Sequence, residues 1–169
     1  MQQKYAPSII TPHRLHWSIM AINVTQASAE HAAIIADFNQ AMALETENKL
    51  LDRNTILTGV STMLSDESLG FYLIAETDIS IIGCLGVTYE WSDWRNGLFW
   101  WIQSVFVDPE SRGQGVFTSM YGTVKARALS DKRTCGIRLY VERENKTAYK
   151  TYTGLGMYET EYRLMEELL

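Results

Sequence analysis

The segment from Val105 to Val116 contains the residue types that could bind a phosphate group. It reads VFVDPESRGQGV: an apolar strand ends near Pro109, and a polar turn with Gly113 and Gly115 follows. A helix of amphipathic pattern begins directly after the turn. Such a turn directs several backbone N–H groups to one point, where the positive end of the helix dipole also lies. The segment therefore predicts a site for a pyrophosphate group.

Two widespread phosphate-binding patterns do not fit this turn. The P-loop requires G-x-x-x-x-G-K-[ST], and the sequence contains no such run. The dinucleotide fingerprint requires G-x-G-x-x-G, but Thr118 stands where the third glycine would be. Because a turn with two glycines often only links a strand to a helix, the surrounding sequence has to decide its role.

The wider sequence resembles the GNAT superfamily of N-acetyltransferases in two motifs. The family's acetyl-CoA motif, [R/Q]-x-x-G-x-[G/A] after a strand, is matched by Arg112 and Gly115, with Phe117 at the last position. Its later motif, N-x-x-A-x-x-x-Y-x-x-x-G-F, is matched by Asn145, Ala148, Tyr152, Gly156 and, in place of Phe, Met157. Two motifs in the right order, separated by a helix and a strand, are more specific than either one alone.

The resemblance implies an α/β (α+β) fold in which the central sheet is mixed and mostly antiparallel. About six or seven strands and about four helices are expected, with the sheet splayed at the strand that binds acetyl-CoA. Residues 20–169 would form this single domain, and residues 1–19, which lack a clear period, would be a flexible extension. The patterns predict strands at 20–27, 70–76, 79–90, 98–107, 136–141 and 158–167, and helices after Ser28 and Asp52 and at 115–130 and 145–153.

The resemblance also implies acetyl-CoA as the co-substrate. Backbone groups of the motif strand would bind the pantetheine arm, and those of the turn would bind the pyrophosphate. Phe117 is compatible with the motif if its ring points into the core, since its N–H group then stays available. Asn145 is expected to contact the carrier, although a helix N-cap would explain it equally well. The residues assigned to the carrier are Val105, Phe106, Val107, Arg112, Gly113, Gln114, Gly115, Val116, Phe117 and Asn145.

Tyr152 matches the position of the family's general acid. A phenol with a pKa of about 10 would face a leaving thiol with a pKa of about 8.5. Tyr149, about one turn away, is the competing tyrosine, and the motif favours Tyr152. The sequence predicts no particular residue as the general base. Gln103 could order a water molecule, but its amide cannot accept a proton at neutral pH.

The acceptor is expected to be a primary amine of a small molecule or a peptide. Acidic residues on the segments that border the acceptor side in this family favour a cationic amine, although each alone could be a solvated charge. Four tryptophans could form an aromatic wall for it, or could serve core or dimer packing. The carboxylates are Glu45, Glu47, Glu90, Asp93 and Glu142, and the tryptophans are Trp91, Trp94, Trp100 and Trp101. Glu45, Glu47, Glu90, Trp91 and Gln103 are the predicted acceptor contacts.

Composition excludes several other functions. The net charge of -5 argues against a nucleic-acid surface, and no apolar run reaches the roughly 18 residues of a membrane helix. Cys84 and Cys135 are expected to be free thiols in a reducing cytoplasm, and no spacing of histidines and cysteines indicates a metal site. A non-catalytic acyl-CoA sensor and an interaction protein with a tryptophan surface remain the alternatives, and the resemblance allows a homodimer.

Overall fold

The sheet of this protein has helices on both faces, and the computed structural model describes residues 21–168. The strands are β1 (Asn23–Gln26), β2 (Gly70–Glu76), β3 (Ile81–Ser92), β4 (Gly97–Val107) and β5 (Thr134–Leu139). The helices are α1 (Ala32–Glu47), α2 (Arg53–Ser65), α3 (Val116–Ser130) and α4 (Lys146–Gly154), and short 3-10 turns lie at Ala29–His31 and Pro109–Ser111. The mixed α/β class with four helices, expected from the motifs, is confirmed.

The strands follow one another in the sheet in the order β1-β2-β3-β4-β5. Neighbouring strands are antiparallel except β4 and β5, which are parallel. A parallel pair needs a crossover, and α3 supplies it between the end of β4 and the start of β5. The turn that precedes α3 therefore lies at the end of β4, beside the line where β4 and β5 meet.

Two apolar layers hold the helices against the sheet, because successive residues of a strand point to opposite faces. On β2, Leu73 packs in the layer under α3, whereas Ile74 packs in the layer under α1 and α2. Met120 and Val124 of α3 are fully buried in the first layer, and Ile35 of α1 is fully buried in the second. The sheet is thereby covered by α3 on one face and by α1 and α2 on the other.

The described residues contain five strands, fewer than the six or seven expected. The strand predicted at 158–167 is absent from this part of the chain, and Tyr158 and Tyr162 are 84% and 80% exposed. Alternating apolar residues make a strand only where a neighbouring strand supplies hydrogen bonds and a core covers one face. The strand predicted at 20–27 is shorter, Asn23–Gln26, and the predicted extension at 1–19 lies outside the described residues.

Candidate functional site

The turn between β4 and α3 has a backbone conformation that its glycines make possible. Gly113 and Gly115 have φ angles of +76° and +83°, in the left-handed region where a side chain is strained. The preceding 3-10 turn is capped by Asp108, whose Oδ1 accepts a hydrogen bond from the backbone N–H of Glu110 at 2.9 Å. The chain consequently reverses direction within a few residues and starts α3 at Val116. We call residues 112–118 the cradle.

The cradle presents a series of unpaired backbone donors. The first N–H of this region that is bonded inside the helix is that of Ser119, which donates to the carbonyl of Gly115 at 2.9 Å. Within residues 21–168, the N–H groups of residues 113–118 have no acceptor, whereas that of Arg112 donates to Pro109 at 3.3 Å. These donors surround the positive end of α3, so the cradle is suited to a pyrophosphate-like anion.

Strand β4 is bent and partly unpaired just before the cradle. Leu85 of β3 lies opposite both Ser104 and Val105, and Ser104 has a φ angle of +50°, which defines a β-bulge. On the other edge, pairing with β5 stops at Ile102. Among residues 21–168, positions 103–107 of β4 thus have no partner on the β5 side, which agrees with the expected splay and leaves an edge that an extended ligand arm could pair with.

Arg112 connects the cradle to two other segments. Its guanidinium donates two hydrogen bonds of 2.7 Å to the carboxylate of Glu45 at the end of α1, and its Nε donates to the carbonyl of Val107 at 2.9 Å. It also lies 5.9 Å from the ring centroid of Phe106. The hydrogen bonds from Arg112 lower the pKa of the Glu45 carboxyl. The structure therefore pairs Glu45, expected near the acceptor, with Arg112 of the cradle.

Phe117 fills the place where the family motif has a small residue, and its ring is half-buried against the core. Its centroid lies 5.3 Å from that of Tyr152 in an edge-to-face arrangement, and 6.0 Å from that of Tyr121. The ring thus leaves the cradle open on the backbone side and contacts the tyrosine of the second motif.

Helix α4 carries Tyr152 but has no buried residue of its own. Tyr152 and the following Leu155 and Met157 are half-buried against the core, whereas Tyr149 is 41% exposed. Burial raises the pKa of the Tyr152 phenol above its usual value. Asn145 caps this helix: its Oδ1 accepts from the N–H of Ala148 at 3.0 Å, while its predicted contact with a carrier stays a prediction.

On the face of the sheet that α1 and α2 partly cover, a polar cluster lies on β3, β4 and β5. Glu90 accepts hydrogen bonds from the indole N–H of Trp101 and from Arg138, the latter at 3.0 and 3.2 Å. The Arg138 guanidinium is 3.5 Å from the ring centroid of Phe99, and Trp101 stacks with Tyr140 at 4.4 Å. The charge of Glu90 is thus neutralised by an arginine that the sequence reasoning did not identify.

Gln103 lies on the same face, on the exposed stretch of β4. Its Nε2 donates to the hydroxyl of Thr88 at 2.7 Å, so the amide oxygen of Gln103 remains available as an acceptor. Arg138 and Thr88 belong to no recognisable sequence motif. Strand pairing alone brings them into this cluster, so the sequence did not indicate them.

The four tryptophans do not form one wall. Trp100 lies in the core under α3 and Trp101 on the opposite face, as neighbours on a strand must. Trp91 and Trp94, near the β3–β4 connection, are 58% and 85% exposed. The five carboxylates are dispersed as well. Glu45 and Glu90 each pair with an arginine. Asp93 and Glu142 accept hydrogen bonds from backbone N–H groups, and Glu47 is exposed at the end of α1.

The described chain offers no group of three or more side chains arranged to hold a metal ion. None of its helices within residues 21–168 combines the length and the apolar character needed to cross a bilayer. Cys84 is buried and Cys135 half-buried, and both are free thiols. Burial raises the pKa of the Cys84 thiol to about 12, so this thiol is a packing group rather than a nucleophile.

The splayed strand, the cradle and the half-buried Tyr152 lie in the order in which the two sequence motifs predict them. The sequence model described as the acetyltransferase (GNAT) family matches residues 33–157. The chain belongs to this family and is an acyltransferase by its fold and motifs. Among curated proteins, none matches the sequence.

Several solved structures are similar to this chain. A possible acetyltransferase from Clostridium difficile 630 is 41% identical, with 88% of this chain and 97% of that chain covered and a TM-score of 0.82. A "predicted acetyltransferase with acetyl-CoA" from Clostridium acetobutylicum is 18% identical, covering 87% and 96%, with a TM-score of 0.70. A ribosomal-protein-alanine N-acetyltransferase from Brucella melitensis biovar Abortus 2308 is 13% identical, covering 88% and 99%, with a TM-score of 0.70. The two more distant structures share the fold.

Proposed function

We propose that this protein transfers the acetyl group of acetyl-CoA to a primary amine by direct attack. The observation that supports this most strongly is the cradle, whose unpaired N–H groups at residues 113–118 follow a strand edge that is itself unpaired. A pyrophosphate with an extended arm complements both features at once. Hydrogen bonds to charged groups contribute about 1.5–3 kcal/mol each, so three or four of them could hold the carrier after ordering costs.

In the proposed reaction, the amine nitrogen attacks the carbonyl carbon of the thioester. A C–N bond forms, the C–S bond breaks, and the electron pair of that bond leaves on sulfur. The nitrogen gives up one proton to a base or to water, and the departing sulfur takes up one proton. The protein's part is to hold the carrier along β4, to admit the acceptor from the side of Gln103 and Glu90, and to manage these two protons.

Tyr152 is the proposed acid for the departing sulfur. Its raised pKa keeps the phenol protonated at neutral pH, where it can donate but does not act as a base. The contact with Phe117 ties its ring to the first turn of α3, next to the cradle. For the amine proton we propose a water molecule bound to the free amide oxygen of Gln103, since the nearby Glu90 is held by Arg138.

The acceptor remains a primary amine of a small molecule or peptide in this proposal. Five residues stay predictions as acceptor contacts: Glu45, Glu47, Glu90, Trp91 and Gln103. The ion pair of Glu90 with Arg138 reduces the negative charge on this face, so the preference for a cationic amine rests on fewer carboxylates than the sequence indicates. A cytoplasmic location and a homodimer also stay predictions.

The test combines carrier binding with turnover. Acetyl-CoA should raise the melting temperature, and a panel of amines should reveal thiol release that depends on both substrates. Tyr152→Phe should lower kcat by about 100-fold, the usual size of a lost general acid. Tyr149→Phe, on the same helix but exposed, is the matched control and should keep full activity.

Two results would overturn the proposal in different ways. If saturating acetyl-CoA gives no thermal shift, the carrier itself is wrong. If acetyl-CoA binds but no amine in the panel releases thiol, the protein is an acyl-CoA sensor with this fold. A Tyr152→Phe protein with unchanged kcat at neutral pH would remove Tyr152 as the acid while leaving the transfer reaction intact.

A further inference from the structure

A second cavity lies near the C-terminal end of α3, away from the cradle. It has a volume of about 530 Å³ and opens between the sheet and the helix. Arg127, which lines it, is 11 residues beyond Val116, and with a rise of 1.5 Å per residue this is roughly 16 Å along the helix axis. Its size falls in the range of about 300–1,000 Å³ that is usual for small-molecule sites. The proposed acetyl transfer does not use this cavity.

Three aromatic rings form one wall of the cavity. Phe71 and Trp100 meet edge to face with their centroids 5.3 Å apart, and Tyr89 lies 5.8 Å from Trp100 and 6.4 Å from Phe71. Each ring therefore contacts the other two. Phe71 and Trp100 are only 8% and 5% exposed, so the apolar surface open to a ligand comes from the half-buried Tyr89 and Leu98 in front of them.

Arg127 brings a positive charge to this aromatic wall. Its guanidinium lies 5.5 Å from the centroid of the Phe71 ring and donates to the side chain of Gln26 at 2.8 Å. Arg127 is half-buried, yet no carboxylate in the described residues pairs with it. The second arginine of the cavity, Arg133, is already paired with Asp131 at 3.2 Å. A carboxylate bound next to Arg127 would supply the missing counter-charge.

The same wall contains a polar atom that lacks a partner. Trp100 is only 5% exposed, and its indole N–H has no acceptor within residues 21–168. The hydroxyl of Thr134, which is paired in register with Leu98 of the cavity wall, is buried and unpartnered as well. Buried donors without acceptors are rare and costly in folded proteins. The indole nitrogen has almost no accessible surface, so it lies behind the cavity lining and is not itself a ligand contact.

We propose that this cavity binds a small aromatic carboxylate, with the ring against the half-buried Tyr89 and Leu98 and the carboxylate at Arg127. Glu67, exposed at the cavity, carries the same charge as the ligand and weakens its binding. The site accordingly prefers a single negative charge to a multiply charged phosphate ester. Its neutral counterpart lacks the ion pair with Arg127 and binds more weakly.

Titration calorimetry of the full chain with 3-phenylpropionate tests this inference, with 3-phenylpropionamide as the neutral control. We expect a Kd of roughly 0.1–1 mM for the acid, in keeping with the efficiency of small ligands. Arg127→Gln should weaken binding at least about tenfold, whereas Glu67→Gln should strengthen it about threefold. Lys125→Gln, an exposed cation on the same helix, is the matched control and should have no effect.

Nitrogen-15 spectra locate the ligand. The indole resonance of Trp100, assigned with Trp100→Phe, should shift on titration, and it should shift equally in Gly115→Val, whose cradle is disrupted. Equal affinity for the acid and the amide would overturn the inference. It would also be overturned if the acid binds more tightly than the amide but leaves the Trp100 resonance unmoved. Loss of 3-phenylpropionate binding in Gly115→Val would show that the acid binds in the cradle instead.

Discussion

We propose anion sites at the two ends of α3, and the two sites would bind anions by different physical means. At the N-terminal end, the cradle consists of backbone N–H groups from one continuous segment, residues 112–118. At the C-terminal end, the cavity consists of side chains from β1, β2, β3, β4, α3 and the loops between them. The first site depends on backbone conformation and the second on the assembly of distant residues.

The helix dipole explains why the two ends differ. Its positive end stabilises an anion at the cradle without any charged side chain, and Arg112 is free to pair with Glu45. Its negative end would repel an anion, so the proposed cavity site needs a cationic side chain. Arg127 lies in the last turn of α3, where a cation is also favoured by the dipole itself.

The largest effect is expected from changing the backbone of the cradle. Gly115→Val places a β-branched residue at a φ angle of +83°, which such residues avoid. The N–H groups of the first turn would then point elsewhere, and acetyl-CoA affinity, measured by calorimetry, should fall by roughly 100-fold as one or two charge-assisted bonds are lost.

Gly122→Val is the matched control for this change, since Gly122 lies on the exposed side of the same helix with open space around it. It should bind acetyl-CoA like the wild type. If Gly115→Val also binds normally, the backbone of the cradle does not hold the carrier, and the contrast between the two ends of α3 fails.

An intermediate effect is expected at Phe117. Phe117→Ala removes the ring that contacts Tyr152 but keeps the backbone N–H in the cradle. Because a displaced acid slows the chemical step, kcat should fall by about tenfold while the KM for acetyl-CoA changes little. Phe117→Leu, which retains apolar volume, should recover part of the activity. An increased KM with unchanged kcat would instead mean that Phe117 acts on the carrier.

The smallest effect is expected at the ion pair between Glu45 and Arg112. Both side chains are partly exposed, so the pair is worth about 0.2–1 kcal/mol, and Glu45→Gln should weaken acetyl-CoA binding about two- to fivefold. Asp37→Asn breaks another exposed ion pair on α1, with Arg53, and should leave binding unchanged.

The sign of the pH dependence follows from the lowered pKa of Glu45. The pair contributes fully above the ordinary pKa of 4.5, and its contribution disappears as the pH falls through the lowered pKa of the folded state. The free energy of unfolding of wild type and Glu45→Gln should therefore differ at neutral pH and converge in acid. A difference that persists in strong acid would contradict the assigned pair.

Prediction from sequence succeeded where a feature is made by neighbouring residues. The two glycines and the following helix indicated the cradle, and the Phe117 ring packs half-buried against the core, which is the condition under which a Phe is compatible with the motif. It failed where a feature depends on strand pairing. The residues at 158–167 alternate as a strand would, yet the described chain gives them no neighbouring strand.

The acceptor side illustrates the same limit with charges. Glu45 and Glu90 are ordinary carboxylates in the sequence, 45 residues apart, and neither shows which cation it meets. Folding pairs Glu45 with Arg112 and Glu90 with Arg138, separated by 67 and 48 positions in the chain. The two carboxylates consequently lie in different clusters, one beside the cradle and one with Trp101 and Arg138 on the sheet.

The amino-acid order alone was sufficient for the family, the cradle and the choice of Tyr152, because each depends on spacing within a turn or a short helix. Only the tertiary structure shows which side chains contact one another: Phe117 with Tyr152, Arg112 with Glu45, and Arg127 with the Phe71 ring. Backbone geometry is set by a few adjacent residues, whereas a contact between side chains exists only after strands and helices from distant parts of the chain have packed together.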